Sequence, residues 1–454
     1  MKIHPNDFLL EEFLLSLSRE HLEMLDHFAS CATCRRRFQG WMRHRTGPVA
    51  RKLAEVLPWP VMATDYASAF KGTEPALWKR EHLLTGERAD APALFVELTR
   101  MTSPEQRQFL LDNSSRFHTW GVFELTVERS LETSIRNPAQ GEELGLLAIR
   151  LAELLSADRY GAELIEDLRA RAWSYIGNAR RLMSDLQGAE TAFAQAYDRL
   201  EAGTRDPLER AVLLDLEASL RRDQRQFEEA RRLLRRAISM FLQNDQKHKA
   251  GRSMVNLATV HHFAGNLSEA IPLLYQALDF VDPEEEPRLL LCARHNLIDD
   301  LAESSRFLEA QSLYRSTRPL YRSFPDAWTQ NRRKWVKGKI SRGLGQIDHA
   351  ESLFLAARDG FLGEGIPYDT ALVSLELASL YARQGRTADL KRLAAEIVPI
   401  FSSLNIHREA LAALAFLHQA VETERASEAL VASVAAFLRQ ARHDPALRFR
   451  EGGE

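Results

Sequence analysis

The sequence predicts an all-α protein built as a stacked helical solenoid, and three observations carry that prediction. First, anchor residues recur: Ala189, Ala230, Ala270, Ala310 and Ala350 follow at steps of 41, 40, 40 and 40 residues, and Leu390 takes the next slot. Second, each anchor carries the same surroundings. Three residues before it stand Leu186, Phe227, Leu267, Phe307 and Ile347, with Thr387 the polar exception. Four after it come Phe193, Leu234, Leu274, Tyr314, Phe354 and Ala394, and seven after it Ala196, Ala237, Ala277, Thr317, Ala357 and Ile397. Spacings of three, four and seven put these side chains on one stripe of a helix. Third, twelve residues before each anchor sits Gly177, Ala218, Ala258, Ile298, Gly338 or Ala378, mostly small and in a preceding helix. Small residues on facing helices let the two backbones approach. A single pair cannot hide its apolar stripe, so the pairs stack, and stacks of this kind ordinarily bind other molecules.

The connections agree. Asp206-Pro207, Asp282-Pro283, Phe324-Pro325 and Ile366-Pro367 collect between pairs, while Gly265-Asn266, Gly345-Gln346 and Gly385-Arg386 stop helices within pairs. The first clear unit reads Trp173-x2-Ile176-Gly177-x2-Arg180, then Ala189-x3-Phe193 and Ala196. It resembles the tetratricopeptide repeat, W-x2-L-G-x2-Y followed by A-x3-F, although the period here is near 40 rather than about 34. Arg180 stands where that pattern has Tyr; Tyr381 fills the place in the last clear unit. The extra residues are expected to lengthen helices and connections. The resemblance covers residues 118–440 and implies a right-handed solenoid that binds protein or peptide partners. A weaker copy precedes the clear units (Ala148, Ala152, Leu155) and a degenerate one follows (Arg408 to Ala441), as end units must cover an apolar face.

Composition is consistent with this picture. In 454 residues, 45% hydrophobic content is ordinary for a globular chain, and a net charge of −3 argues against a general nucleic-acid binder or a membrane-surface protein. No apolar run approaches the roughly 18 residues that span a bilayer. The first residues, Met1 to Asp7, lack a signal-peptide pattern, so a cytoplasmic location is expected. Three cysteines are too few for a disulfide framework.

Two of those cysteines form the sharpest chemical motif. His27-Phe28-Ala29-Ser30-Cys31-Ala32-Thr33-Cys34 places a His one helical turn before a Cys-x-x-Cys, a step that wraps two sulfurs around one metal. Zinc takes four ligands in a tetrahedron. The missing fourth is assigned to His4, at the head of a first helix (about Asn6 to Leu17) packed antiparallel on a second, Ser18 to Ser30; His21 lies on a different face. Two thiolates and two neutral imidazoles balance the Zn2+ charge and leave a centre that is cheap to bury. The plainer alternative is a reduced cysteine pair at the start of a surface helix. This stretch resembles the zinc-binding anti-sigma factor domain, with its His-x3-Cys-x2-Cys core and an upstream ligand that maps onto His4. Over about the first 50 residues, the resemblance implies a head that grips an RNA polymerase sigma factor.

From His27 to Ala54 no acid occurs, while Arg35, Arg36, Arg37, Arg43, Arg45, Arg51 and Lys52 are basic, with Phe38 and Trp41 between them. Such a run meets an acidic partner or phosphates, or is simply a solvated helix face. Beyond it the periodicity weakens, and Pro58-Trp59-Pro60, Gly72-Thr73-Glu74-Pro75 and Gly86-Glu87 predict short helical pieces in a linker. The expected layout is therefore 1–56 zinc head, 57–117 helical linker, 118–440 solenoid and 441–454 tail.

In a stacked solenoid the first helices line the concave face. Projected onto them, the partner-binding candidates are Arg171, Asn178, Arg181, Arg222, Arg252, His262, His295, Asp299, Arg332, Trp335, Lys339 and Arg342. Basic residues dominate this set, which favours an acidic peptide segment or a C-terminal carboxylate. His261, His262 and His295 have no carboxylate or Cys at local ligand spacing, and Cys292 reads as a core or interface thiol. No phosphate loop, nucleophile elbow or His-Glu-x-x-His appears, so an enzyme is not expected. The expectation is a regulatory adaptor with a sigma-binding zinc head on a tetratricopeptide scaffold; the alternative is a peptide- or protein-binding scaffold whose zinc module is only structural.

Overall fold

The computed structural model describes residues 66–101, 103–403, 408–422, 427–441 and 448, and no strand occurs among them. The chain divides into two compact units, Met1–Ala89 and Asp90–Glu454. His4, His27, Cys31, Cys34 and the basic stretch from Arg35 to Lys52 lie outside the described residues. Among the described residues no helix is long and apolar enough to cross a membrane.

Helix α1, Tyr66–Thr99, is one element where short pieces were expected. It runs on through Gly72, Pro75 and Gly86, the breakers from which the pieces were expected. After α2 (Pro104–Asn113) and a short 3-10 turn, the solenoid is a run of helix pairs. These are α3 (Trp120–Ser134) with α4 (Pro138–Leu154), α5 (Ala162–Leu182) with α6 (Leu186–Ala202), and α7 (Pro207–Asp223) with α8 (Phe227–Gln243). Then come α9 (Lys247–Phe263) with α10 (Leu267–Phe280), α11 (Pro287–Glu303) with α12 (Phe307–Arg322), and α13 (Ala327–Gly343) with α14 (Ile347–Gly363). The series closes with α15 (Pro367–Arg383) and α16 (Thr387–Ser403), then α17 (Arg408–Glu422) and α18 (Glu428–Ala441).

The sequence pattern explains the seam within each pair. Ala189, Ala230, Ala270, Ala310 and Ala350 are all 0% exposed. In four of the six pairs the residue four after the anchor and the small residue of the preceding helix compensate in volume; Ile298 with Tyr314 and Ala378 with Ala394 do not. Gly177 faces the Phe193 ring and Gly338 the Phe354 ring, so close that an added Cβ would sit 3.0 and 2.6 Å from ring carbons. Where the small residue is Ala218 or Ala258, the partner shrinks to Leu234 or Leu274. The close approach is thus ring against backbone, with large-into-small packing leaving no void.

Each first helix of the six clear pairs ends in the same stop. Ser184, Arg225, Gly265, Ser305, Gly345 and Gly385 are left-handed, with φ between 61° and 78°. The amide of the next residue bonds the carbonyl five residues back, from Asp185 to Arg180 through Arg386 to Tyr381, at 2.8–3.0 Å. Only three of these six positions carry the glycine that marks such a stop in sequence. Pro207, Pro287 and Pro367 open helices, where a missing N–H costs nothing.

At the C-terminal end, α15 is buried on nearly every side, including Leu372 and Leu375 at positions that are Arg332 and Trp335 one pair earlier. Val431, Val434 and Leu438 of α18 join them in one apolar cluster. Arg439 of α18 lies 3.8 Å from Glu303 and 3.9 Å from Glu376.

Candidate functional site

From α5 to α13 the first helices of successive pairs pack on one another, whereas successive second helices scarcely meet, so these first helices lie on the inside of the curve, and α15 joins them through the Arg342–Glu376 pair. Most of the candidate residues on them bond across to the neighbouring pair. Arg171 pairs with Glu209. Arg181 lies 2.5 Å from Asp223 and also donates to Asn178 Oδ1 at 2.9 Å; Arg222 meets the other Asp223 oxygen at 2.7 Å. Arg252 pairs with Glu286, and Arg342 with Glu376. Lys339 lies 2.7 Å from Asp299 and 3.0 Å from Glu303. His262 Nδ1 donates to Asp300 Oδ1 at 2.6 Å.

These contacts correct the picture of a basic lining. Acids one pair along neutralise Arg171, Arg181, Arg252, Lys339 and Arg342, so these form a ladder of crosslinks, while Arg222 meets Asp223 beside it on α7 and Arg332 lies on the Trp328 ring. The acids Glu209, Asp223, Glu286, Asp300, Glu303 and Glu376 were not among the candidates. Their signal was non-local: each lies between 34 and 42 residues from the candidate it meets. Asp300 also supplies the carboxylate that local spacing denied to the histidines. His295 is not open to a partner; it is 6% exposed and 2.7 Å from the Tyr321 hydroxyl. Lys339 too is buried, and its Nζ lies 5.0 Å from the Trp335 ring, which in turn packs edge-on against Phe361. Cys292 is exposed rather than in the core, because it shares the inward repeat position of Arg252 and Arg332.

Electrostatics follow from burial set against these partners. Burial works against the Lys339 ammonium, yet Asp299, Glu303 and Glu376 hold its pKa above the ordinary range. Burial also opposes the His262 imidazolium, but the Asp300 hydrogen bond and the charges of Asp300, Glu303 and Asp299 lift its pKa. His295 goes the other way: burial, with Arg332 and Lys339 near, pushes it well below the usual histidine range. Two histidines one pair apart are therefore shifted in opposite directions.

Between α9 and α11 the inner face opens into a pocket of about 80 Å³, lined by Ala258, Thr259, His262, Phe263, Leu274, Asn296, Asp299, Asp300 and, from α13, Arg332. The Arg332 guanidinium lies 4.9 Å from the Trp328 ring centre. Asn296 Nδ2 approaches Thr259 Oγ1 at 3.5 Å across the two helices.

Residues 209–282, covering α7 to α10, match the family model of the tetratricopeptide repeat. No curated protein matches the sequence. Among solved structures, a Rap protein complexed with competence and sporulation factor is similar in fold, with a TM-score of 0.53 and 13% identity over 72% of this chain and 91% of that one. Aspartyl phosphate phosphatase F from Bacillus subtilis matches with a TM-score of 0.42 and 12% identity, over 76% of this chain and 95% of that one. A kinesin light chain-like repeat protein from Podosopora anserina covers 44% of this chain and 99% of its own length, at 18% identity and a TM-score of 0.32.

Proposed function

We propose that this protein is a non-catalytic regulatory adaptor whose solenoid holds a peptide or protein segment along its inner face. One observation carries the reading. The seam between paired helices repeats almost unchanged, while the inner face varies from pair to pair, running through Asn178, Ser219, Thr259, Asp299, Lys339 and Ser379 at one repeat position. Variation on a regular scaffold is what selective recognition requires. The Rap protein of similar fold, solved with a bound factor, supports the same reading.

The head, residues 1–56, is proposed to bind Zn2+ through His4, His27, Cys31 and Cys34 and to engage a sigma factor, on the strength of the ligand spacing. Elemental analysis of the purified chain is expected to find zinc, and to lose it when Cys31 and Cys34 are both changed to Ser. A sigma factor should co-purify only with the zinc-loaded chain. A metal-free native protein, or capture indifferent to the cysteines, would leave the scaffold without its head. For the scaffold itself, hydrogen exchange with a bound partner should protect α9, α11 and α13. Protection confined to the second helices would sink the inner-face reading.

A further inference from the structure

The seam where the second helix of one pair meets the first helix of the next departs from its repeat at one place. Two positions face each other across it, eight residues after one anchor and thirteen before the next. Between α6 and α7 these are Tyr197 and Glu217, and the Tyr197 hydroxyl donates to the Glu217 carboxylate at 2.6 Å. Between α8 and α9 they are Ile238 and Leu257, and between α10 and α11 Leu278 and Leu297; each of these pairs shares an apolar cluster. Between α12 and α13 they are Arg318 and Lys337. One turn before Lys337, Arg333 takes a position that is Leu213, Ser253, Ala293 or Val373 in other pairs, all buried.

Charges enter this seam elsewhere, but there they are met. Glu217 also pairs with Arg221 at 2.8 Å, and Arg358, in the position of Arg318 one pair along, lies 2.8 Å from Glu396. Among the described residues Arg318 and Lys337 have no carboxylate within bonding reach. Arg333 hydrogen-bonds only neutral acceptors, the Tyr314 hydroxyl at 3.1 Å and Gln330 Oε1 at 2.8 Å. Burial and the charges of Arg333 and Arg318 push the Lys337 pKa down, and no acid opposes them. Lys337 and Arg333 are nonetheless half-buried rather than sealed, and Arg318 is exposed.

Like charges opposed across a packing seam repel, and apolar side chains fill the same positions in neighbouring pairs without that cost. An anion set between Arg318 and Lys337 turns the repulsion into attraction. Three cations with no acid among them narrow its charge. A single carboxylate leaves two of the three unmet, whereas a phosphoryl group brings about −1.5 to −2 at neutral pH and three acceptor oxygens. A guanidinium fork suits two of those oxygens and an ammonium the third. We propose that the α12–α13 seam binds a phosphoryl group through Arg318, Lys337 and Arg333, residues that the inner-face reading does not use. Inorganic phosphate and a phosphorylated side chain of a partner both have that chemistry.

Calorimetric titration of the full chain at constant ionic strength tests this with two probes, inorganic phosphate and a phosphoserine peptide. The same peptide carrying Ser or Glu should bind about tenfold or more weakly than the phosphorylated form. Arg318→Leu and Lys337→Leu, which install the apolar residues of neighbouring pairs, should each abolish binding of the probes. Both should also raise the melting temperature of the unliganded chain, so a loss of binding is not a loss of fold. Arg252→Gln on the inner face should leave probe binding intact. Equal affinity for the two probes assigns the free ion; tighter binding of the phosphopeptide assigns a partner's side chain. The site is overturned if neither probe binds, if binding survives both leucine variants, or if the Glu peptide binds as well as the phosphorylated one. A lowered melting temperature in both leucine variants, or a DNA duplex bound in preference to both probes, overturns it as well.

Discussion

Ala310 and Lys339 are both buried, but they belong to two differently governed regions of one solenoid. The seam where a pair of helices meets is fixed by a distance. Every pair must bring two helices to the same separation, so small residues and complementary volumes recur, as in Gly177 with Phe193 and Gly338 with Phe354. The inner face is fixed only by charge balance. Any residue is tolerated there provided a neighbouring pair satisfies it, and so Asp299 finds Lys339 while Arg181 finds Asp223. Geometry constrains the first region in every pair; electrostatics constrains the second only between adjacent pairs.

The contrast is sharpest under substitution. Lys339→Met should have the largest effect, about 3–5 kcal/mol in denaturant unfolding, because it strands Asp299 and Glu303 without their cation. A cost below about 1 kcal/mol would mean that the inner-face charges are solvated individually and the ladder is incidental. Gly338→Ala should follow at about 1–3 kcal/mol from overpacking on Phe354. Adding Phe354→Leu should recover part of that loss; strict additivity of the two changes would refute volume complementarity at the seam.

The two histidines give a smaller, signed effect. The His262 pKa is raised, so the stability it supplies is full below about pH 6.5 and is lost as pH rises through its folded pKa. The His295 pKa is lowered, so its contribution is present above about pH 6.5 and is lost as pH falls through its folded value. Melting temperatures across pH should therefore converge with wild type on the alkaline side for His262→Asn. For His295→Asn the acid-side decline should flatten. Matching profiles for the two variants would contradict the opposite environments. Smallest of all, Ser305→Gly should stabilise by up to about 1 kcal/mol by relieving a left-handed φ of 61° at a helix stop.

What could be read from the sequence follows the same division. The anchor stripe is a local signal, repeating every three or four residues within a helix; its anchors and the residues four and seven after them are buried, whereas those three before are half-buried and Thr387 is exposed. The helix stops were half visible: Gly265, Gly345 and Gly385 advertise them, whereas Ser184, Arg225 and Ser305 adopt the same backbone without a residue that needs it. The candidate cations of the first helices were legible, but the acids that meet them were not. Arg171 and Arg342 are visible as cations, but their partners Glu209 and Glu376 lie 38 and 34 residues away, in helices whose rotation no local pattern specifies. A helical projection good to one residue still carries an angular error of about 100°, enough to turn His295 from the groove into the packing between helices.

One consequence follows from α18. Its apolar side occupies the flank of α15 on which a further copy of this chain, or an added module, would have to be laid. That flank of α15 is thus already covered within the chain.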